Sequence, residues 1–183
     1  MTAANLMGLS RLALSLVAAG LLIHGGSPFN VVAAAVTGLA IITDILDGHF
    51  ARRYSTVSTL GIFLDVTADK VFLCPLLFLI ANGEDLRLWI AVLFLGREFL
   101  VMGLRAHAAA NGHVMTARPF GKLKTILLYP AVMLALLNSS LADGFLIAAT
   151  LAALVSLADY IHQSRPWLSA ELSGRPTVAR PAP

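Results

Sequence analysis

The chain has 183 residues, of which 58% are hydrophobic and only 13% charged, far short of the quarter or so of charged residues usual in soluble domains. Its formal charge of +3 is spread over short loops, which excludes the broad basic face of a nucleic-acid binder. Its single cysteine, Cys74, excludes an intrachain disulfide framework or a thiolate metal site.

In chain order, apolar runs of spanning length predict six transmembrane helices, over 8–24, 29–53, 58–82, 86–110, 119–138 and 143–162. The breaks between them, "HGGSP", "YSTV", "NGED", "NGHVMTARP" and "NSSLADG", carry the residues of turns. The first run begins after a charged start at Arg11 and continues past a signal-like Val17-Ala18-Ala19 to His24, so it is expected as a retained helix rather than a cleaved leader. After Tyr160 proline and polar residues dominate. The expected organisation is therefore one all-α integral membrane domain over 1–162, a six-helix bundle, and a flexible cytoplasmic tail over 163–183.

The basic residues orient this bundle. Arg52, Arg53, Arg105, Arg118, Lys122, Lys124, Arg165, Arg175 and Arg180 share one side, whereas the opposite loops hold only Arg87 with Glu84, Asp85 and Asp143. By the positive-inside rule both termini face the cytoplasm, as in a bacterial plasma (inner) membrane.

Against this apolar background, "DILDGHFARRYSTVSTLGIFLDVTADK" places Asp44, Asp47, Asp65 and Asp69 within 26 residues. Asp44, Asp47, Gly48, Ala51 and Arg52 recur at i, i+3, i+4, i+7 and i+8, one stripe of a helix, and Gly61, Asp65 and Asp69 recur at i+4 and i+8 on the next. A short turn makes these helices antiparallel neighbours, so the four carboxylates can converge in one cavity near the cytoplasmic end. Carboxylates so close repel unless a cation lies between them. Hard oxygen donors without histidine or cysteine suit Mg²⁺, Mn²⁺ or Ca²⁺ rather than zinc or copper. Gly48 and Gly61 leave room for a ligand or a facing helix. Pairing with Arg52, Arg53 and Lys70 as interhelical glue accounts for one or two acids, not four, when each costs about 2.5–3.5 kcal/mol at the centre of a spanning helix. Paired metals held by carboxylates commonly clamp phosphate groups, which points to a phosphoryl-type transfer. A divalent-cation transporter is the reading from a different class; it offers no reason for Gly48, Ala51 and Arg52 at fixed offsets.

Read as D-x2-D-G-x2-A-R-x8-G-x3-D-x3-D, the stretch from Asp44 to Asp69 resembles the signature of the CDP-alcohol phosphatidyltransferases. The resemblance implies transfer of a phosphatidyl group from CDP-diacylglycerol to an alcohol with release of CMP, two Mg²⁺ or Mn²⁺ ions, and a homodimer. It makes Asp44, Asp47 and Asp65 metal ligands and Asp69 a further ligand or the base for the acceptor hydroxyl. Gly48, Ala51, Arg52 and Gly61, with Asn5 and Arg11, would line the nucleotide and diphosphate pocket.

"GREFLVMGLRAHAAANGHVMTARPFGKLKT", residues 96 to 125, resembles the phosphatidylglycerophosphate synthases of that family through Arg97-Glu98, Arg105 and the Lys122–Lys124 run. The implied acceptor is glycerol 3-phosphate, its phosphate held by Arg105, Lys122 and Lys124; a guanidinium and two ammonium groups suit an anionic acceptor. Other polyol phosphates, inositol phosphate, or phosphatidylglycerol as in cardiolipin synthesis are the alternative acceptors. Arg97 and Glu98, in mid-helix, are expected to form a mutual or cross-bundle ion pair. The chain departs from those synthases at Gly8, Val66 and Leu128, where they usually carry Thr, Pro and Gln.

Overall fold

In a computed structural model, residues 3–54, 70–71, 73–81, 83–113, 115 and 119–173 are described; within them, the side chains of 3–9, 11, 27, 44–54, 167 and 170–172 are not. The described residues form six helices and no strand: α1 (Ala3–His24), α2 (Ser27–Tyr54), α3 (70–71 and 73–81), α4 (Asp85–Ala110), α5 (Pro119–Leu136) and α6 (Ala142–Leu172).

The α1–α2 hairpin closes through Gly25 and Gly26, whose φ values of 70° and 94° lie in the region that side chains disfavour. The amides of Phe29 and Asn30 both donate to the Gly26 carbonyl, starting α2 at once. Between α5 and α6 the left-handed position falls to Asn138, φ 54°, a residue whose short polar side chain tolerates it.

The directions of α3, α4 and α6 follow from their contacts. Arg87 at the start of α4 donates to Asp143 at the start of α6 (2.7 Å), and Arg97 farther along α4 reaches Ala153 and Ser156 of α6, so these two helices run parallel. Lys70 of α3 meets Glu98, while Ile80, farther along the same helix, accepts from Arg87 (3.5 Å), so α3 runs antiparallel to α4. Lys70 of α3, the start of α5 and the later halves of α4 and α6 thus gather at one end. Arg87, Glu84 and Asp143 mark the other.

Small side chains set the helix spacing. Along α6 the stripe Ala142, Leu146, Ala149, Ala153, Ser156, Tyr160, Ser164 is buried throughout, facing Leu128, Ala131, Val132 and Ala135 of α5 and Ile90, Ala91 and Phe94 of α4 in the main apolar core. In lipid the apolar effect does not drive helices together, and close approach through Ala, Gly and Ser supplies the dispersion contact instead. The outer faces are apolar too: Leu16, Ile23, Leu39, Phe99, Ile126 and Leu151, on five helices, each expose more than half of their surface. Water does not favour such a surface, and lipid does. Pro119–Leu136 and Ala142–Pro166 are long and apolar enough to cross a membrane, and Leu12–His24 and Pro28–Thr43 are shorter apolar helices.

The helices α2, α4 and α5 lie where they were expected within a few residues, α1 starts earlier, at Ala3, and the expected third helix, 58–82, is described only over 70–71 and 73–81. α6 does not stop at 162 but continues to Leu172, through the start of the expected tail. Its buried stripe explains this: Ser164 is fully buried, and its hydroxyl donates to the Ile161 carbonyl at 2.9 Å. Pro166 withholds one backbone donor without ending the helix.

Candidate functional site

Asp44, Asp47, Gly48, Ala51 and Arg52 all lie within the helical span of α2, where their spacing places their backbone positions on one face. Asn5 and Arg11 lie in α1. Gly61, Asp65 and Asp69 fall outside the described residues, so the meeting of the four aspartates does too. Among the described residues no group of three or more His, Cys, Asp or Glu comes together. What bears on the fit to a divalent metal is the chemistry of the residues on α2: an unbroken helix through Asp44 and Asp47 carries two carboxylates one turn apart, and hard oxygen donors are the kind such a cation takes.

At the end of the bundle that holds Lys70 of α3, a charged cluster is built around Glu98. This carboxylate is 7% exposed. Its Oε2 accepts from Lys70 Nζ at 3.0 Å, and its Oε1 accepts from Arg97 Nη1 at 2.5 Å and from Lys124 Nζ. Three cations from α3, α4 and α5 thus converge on one acid, which fulfils the expected mutual and cross-bundle pairing. Arg97, 4% exposed, is committed to structure: its Nε donates to the Ala153 carbonyl (3.1 Å) and its Nη2 to Ser156 Oγ (2.7 Å), and its guanidinium lies 6.0 Å from the Tyr160 ring centre. The burial is tolerable because every charge has a partner.

Lys124 is held on two sides, by Glu98 and by the Phe94 ring 5.4 Å from its ammonium. Arg105, two turns beyond Arg97, shares the Tyr160 ring at 6.0 Å and donates to the Met115 carbonyl at 3.4 Å. Tyr160 itself belongs to a second apolar cluster with Val101, Ala108 and Met115. The charged layer is therefore bounded by apolar packing on both sides along α4. Arg105, Lys122 and Lys124 lie at the same end of the bundle; Arg105 contacts Tyr160 and Lys124 pairs with Glu98, and both Arg105 and Lys122 are exposed.

The sequence reading missed Ser156 and Tyr160. The buried period of α6 that carries them was available, because Ala142, Leu146, Ala149 and Ala153 lead to them at helical spacing. Leu128, one of the departures, is 1% exposed in the main apolar core, where leucine packs and an amide would need a partner.

Residues 1–158 match the family model described as CDP-alcohol phosphatidyltransferase. A protein of Mycobacterium tuberculosis named "Probable phosphatidylglycerophosphate synthase" is 36% identical over 166 residues, 86% of this chain and 79% of that protein. Proteins named "CDP-diacylglycerol--glycerol-3-phosphate 3-phosphatidyltransferase" are similar over shorter stretches. That of Bacillus subtilis is 37% identical over 48% of this chain, and that of Rickettsia bellii 36% identical over 55%. These matches span about half the length of those two relatives, 45% and 56%.

Proposed function

The chain belongs to the CDP-alcohol phosphatidyltransferase family, and on that premise we propose that it transfers the phosphatidyl group of CDP-diacylglycerol to glycerol 3-phosphate, giving phosphatidylglycerol phosphate and CMP. The observation that carries the choice of acceptor is the likeness to the mycobacterial synthase across most of both chains. The cationic end of the bundle, with Arg105 and Lys124 set by packed partners, supports an acceptor that bears a phosphate.

In this proposal Asp44, Asp47, Asp65 and Asp69 hold two Mg²⁺ or Mn²⁺ ions. When bound, the ions neutralise the diphosphate of the nucleotide lipid and stabilise the charge that leaves with CMP. The remaining work falls to the chain itself. Gly48, Ala51, Arg52 and Gly61, with Asn5 and Arg11, form the nucleotide and diphosphate pocket. Arg105, Lys122 and Lys124 bind the acceptor phosphate and so aim its hydroxyl. Asp69, not required as a ligand throughout, takes the hydroxyl proton as the oxygen attacks phosphorus; an alcohol whose pKa lies far above 7 needs such a base within hydrogen-bond reach.

The proposal extends to a six-span bundle in a bacterial inner membrane, with both termini and an active-site cavity on the cytoplasmic side, working as a homodimer. The gathering of Arg105, Lys122 and Lys124 at one end, with Arg87 answered by Glu84 and Asp143 at the other, supports that orientation. The test is CMP release by the purified chain in detergent with CDP-diacylglycerol, Mg²⁺ or Mn²⁺, and a panel of acceptors. Glycerol 3-phosphate is expected to be used best. Preference for another polyol phosphate overturns the acceptor, and preference for an uncharged alcohol overturns the phosphate site as well.

A further inference from the structure

We propose that Tyr160 is a positioning residue whose ring face holds the Arg105 guanidinium in place for the phosphate of the acceptor; this rests on the reading that Arg105 binds that phosphate. The guanidinium carbon of Arg105 lies over the ring, 6.0 Å from its centre. Tyr160 is only 4% exposed and belongs to one apolar cluster with Val101 and Ala108 of α4 and with Met115. Val101, Arg105 and Ala108 recur at i, i+4 and i+7, so the α6 ring sits against the face of α4 that carries Arg105. Met115 contributes twice: its side chain joins that cluster, and its carbonyl accepts from Arg105 Nη2 at 3.4 Å. The ring and the carbonyl that meet Arg105 are thus packed into one unit, which limits the sweep of a long side chain with much rotamer freedom to lose.

The way a ring holds a cation suits a residue that must also meet an anion. A carboxylate grips a guanidinium through its N–H groups and cancels its charge, whereas a ring face attracts the cation and takes neither. Arg97 shows the contrast on the same ring. Its guanidinium carbon is also 6.0 Å from the centre, but its N–H groups are committed to Glu98, the Ala153 carbonyl and Ser156, and it is 4% exposed. Arg105 is exposed. One aromatic side chain therefore supports a structural arginine and a ligand-facing one, and sets the second against the locked contact of α4 with α6.

The test uses the full chain in detergent with glycerol 3-phosphate as probe. Tyr160→Leu removes the ring face, and Tyr160→Phe is made with phenylalanine and with its mono-, di- and trifluorinated forms, whose fluorines drain the negative face at nearly constant shape. On the scale of a cation–π contact, KM for glycerol 3-phosphate should rise about fivefold or more in Tyr160→Leu and stepwise with fluorine, to about threefold or more for the trifluorinated ring. KM for CDP-diacylglycerol should not follow the series, and Tyr160→Phe without fluorine should recover most of the Tyr160→Leu loss. In the Arg105→Ala background neither Tyr160→Leu nor fluorination should cost more than about twofold further, since residues that act through one another are not additive. A fluorine effect that persists without Arg105 assigns the ring to Arg97 and overturns the proposal, as do equal losses for both substrates or equal losses in Tyr160→Phe and Tyr160→Leu. If Tyr160→Leu does not fold, the fluorinated series decides: a flat KM across it overturns the positioning role. Thermal stabilisation by glycerol 3-phosphate separates this inference from the proposed reaction. Stabilisation that weakens with fluorine, without CMP release, leaves the positioning role standing and removes the reaction; CMP release with KM indifferent to fluorine removes the positioning role alone; neither stabilisation nor turnover removes both.

Discussion

Arg97 and Ser156, 59 positions apart in the chain, are joined by a buried hydrogen bond of 2.7 Å from the guanidinium to the hydroxyl. With the Ala153 carbonyl on the same guanidinium, this bond locks α4 against α6 beside the Glu98 cluster. Arg105 and Lys124 take their places beside it through Tyr160 and through Glu98.

Ser156→Ala removes the acceptor and leaves a buried guanidinium N–H unpaired. The cost of such a group is about 1–3 kcal/mol. The unfolding midpoint in detergent should fall accordingly, and KM for the acceptor should rise more than KM for the nucleotide lipid. An unchanged midpoint would show that another acceptor replaces the hydroxyl.

Gly38 brings α2, the helix of Asp44 and Asp47, against α5, the helix of Lys124. A Cβ added there meets Met133 Cε at 3.5 Å, an ordinary contact with the end of a flexible side chain, so Gly38→Ala should be tolerated. Gly38→Leu has no such room and should cost about 1–3 kcal/mol by overpacking, with activity falling at temperatures where the protein remains folded. Equal activity in Gly38→Leu and wild type would separate this crossing from the site.

The opposite end offers a control. Arg87 pairs with Asp143 at 2.7 Å and Glu84 at 3.3 Å, but the acids are 38% and 58% exposed. Screening by water limits such pairs to about 0.2–1 kcal/mol. Asp143→Asn should therefore shift the midpoint slightly, less so at high salt, and leave CMP release as it was.

For the metal, EDTA should abolish CMP release and added Mg²⁺ or Mn²⁺ should restore it. Asp44→Asn and Asp47→Asn should each remove most activity while the protein stays folded and membrane-inserted. Full turnover in EDTA would end the metal proposal.

Asp69→Asn keeps the size of the side chain and one oxygen but cannot accept the hydroxyl proton near neutral pH. Binding of CDP-diacylglycerol should survive and turnover should collapse. Turnover within a few-fold of wild type, on the scale of the 10²–10⁴ that a general base contributes, would place the base elsewhere.

The sequence by itself determined what depends on length and local period. An apolar run marks a helix for lipid because its backbone bonds close within the run, and so the starts of α2, α4, α5 and α6 stood within two residues of their expected places. The aspartate signature was legible for the same reason: its residues are near neighbours, and helical spacing alone places Asp44, Asp47, Gly48, Ala51 and Arg52 on one face. The pairing of Arg97 with Glu98 was also foreseeable, since two charges in mid-helix need partners. Which partners they take was decided by tertiary structure. Lys70, Lys124, Ser156 and Tyr160 reach the pair from three other helices, and whether they do depends on helix direction, crossing and side-chain reach. The overrun of α6 to Leu172 has the same origin: a polar, proline-containing segment reads as tail in isolation and is held as helix when Ser164 is buried on the stripe that Ala142 begins. Local pattern carries no record of such packing, because its energy arises only when segments distant in the chain are brought side by side.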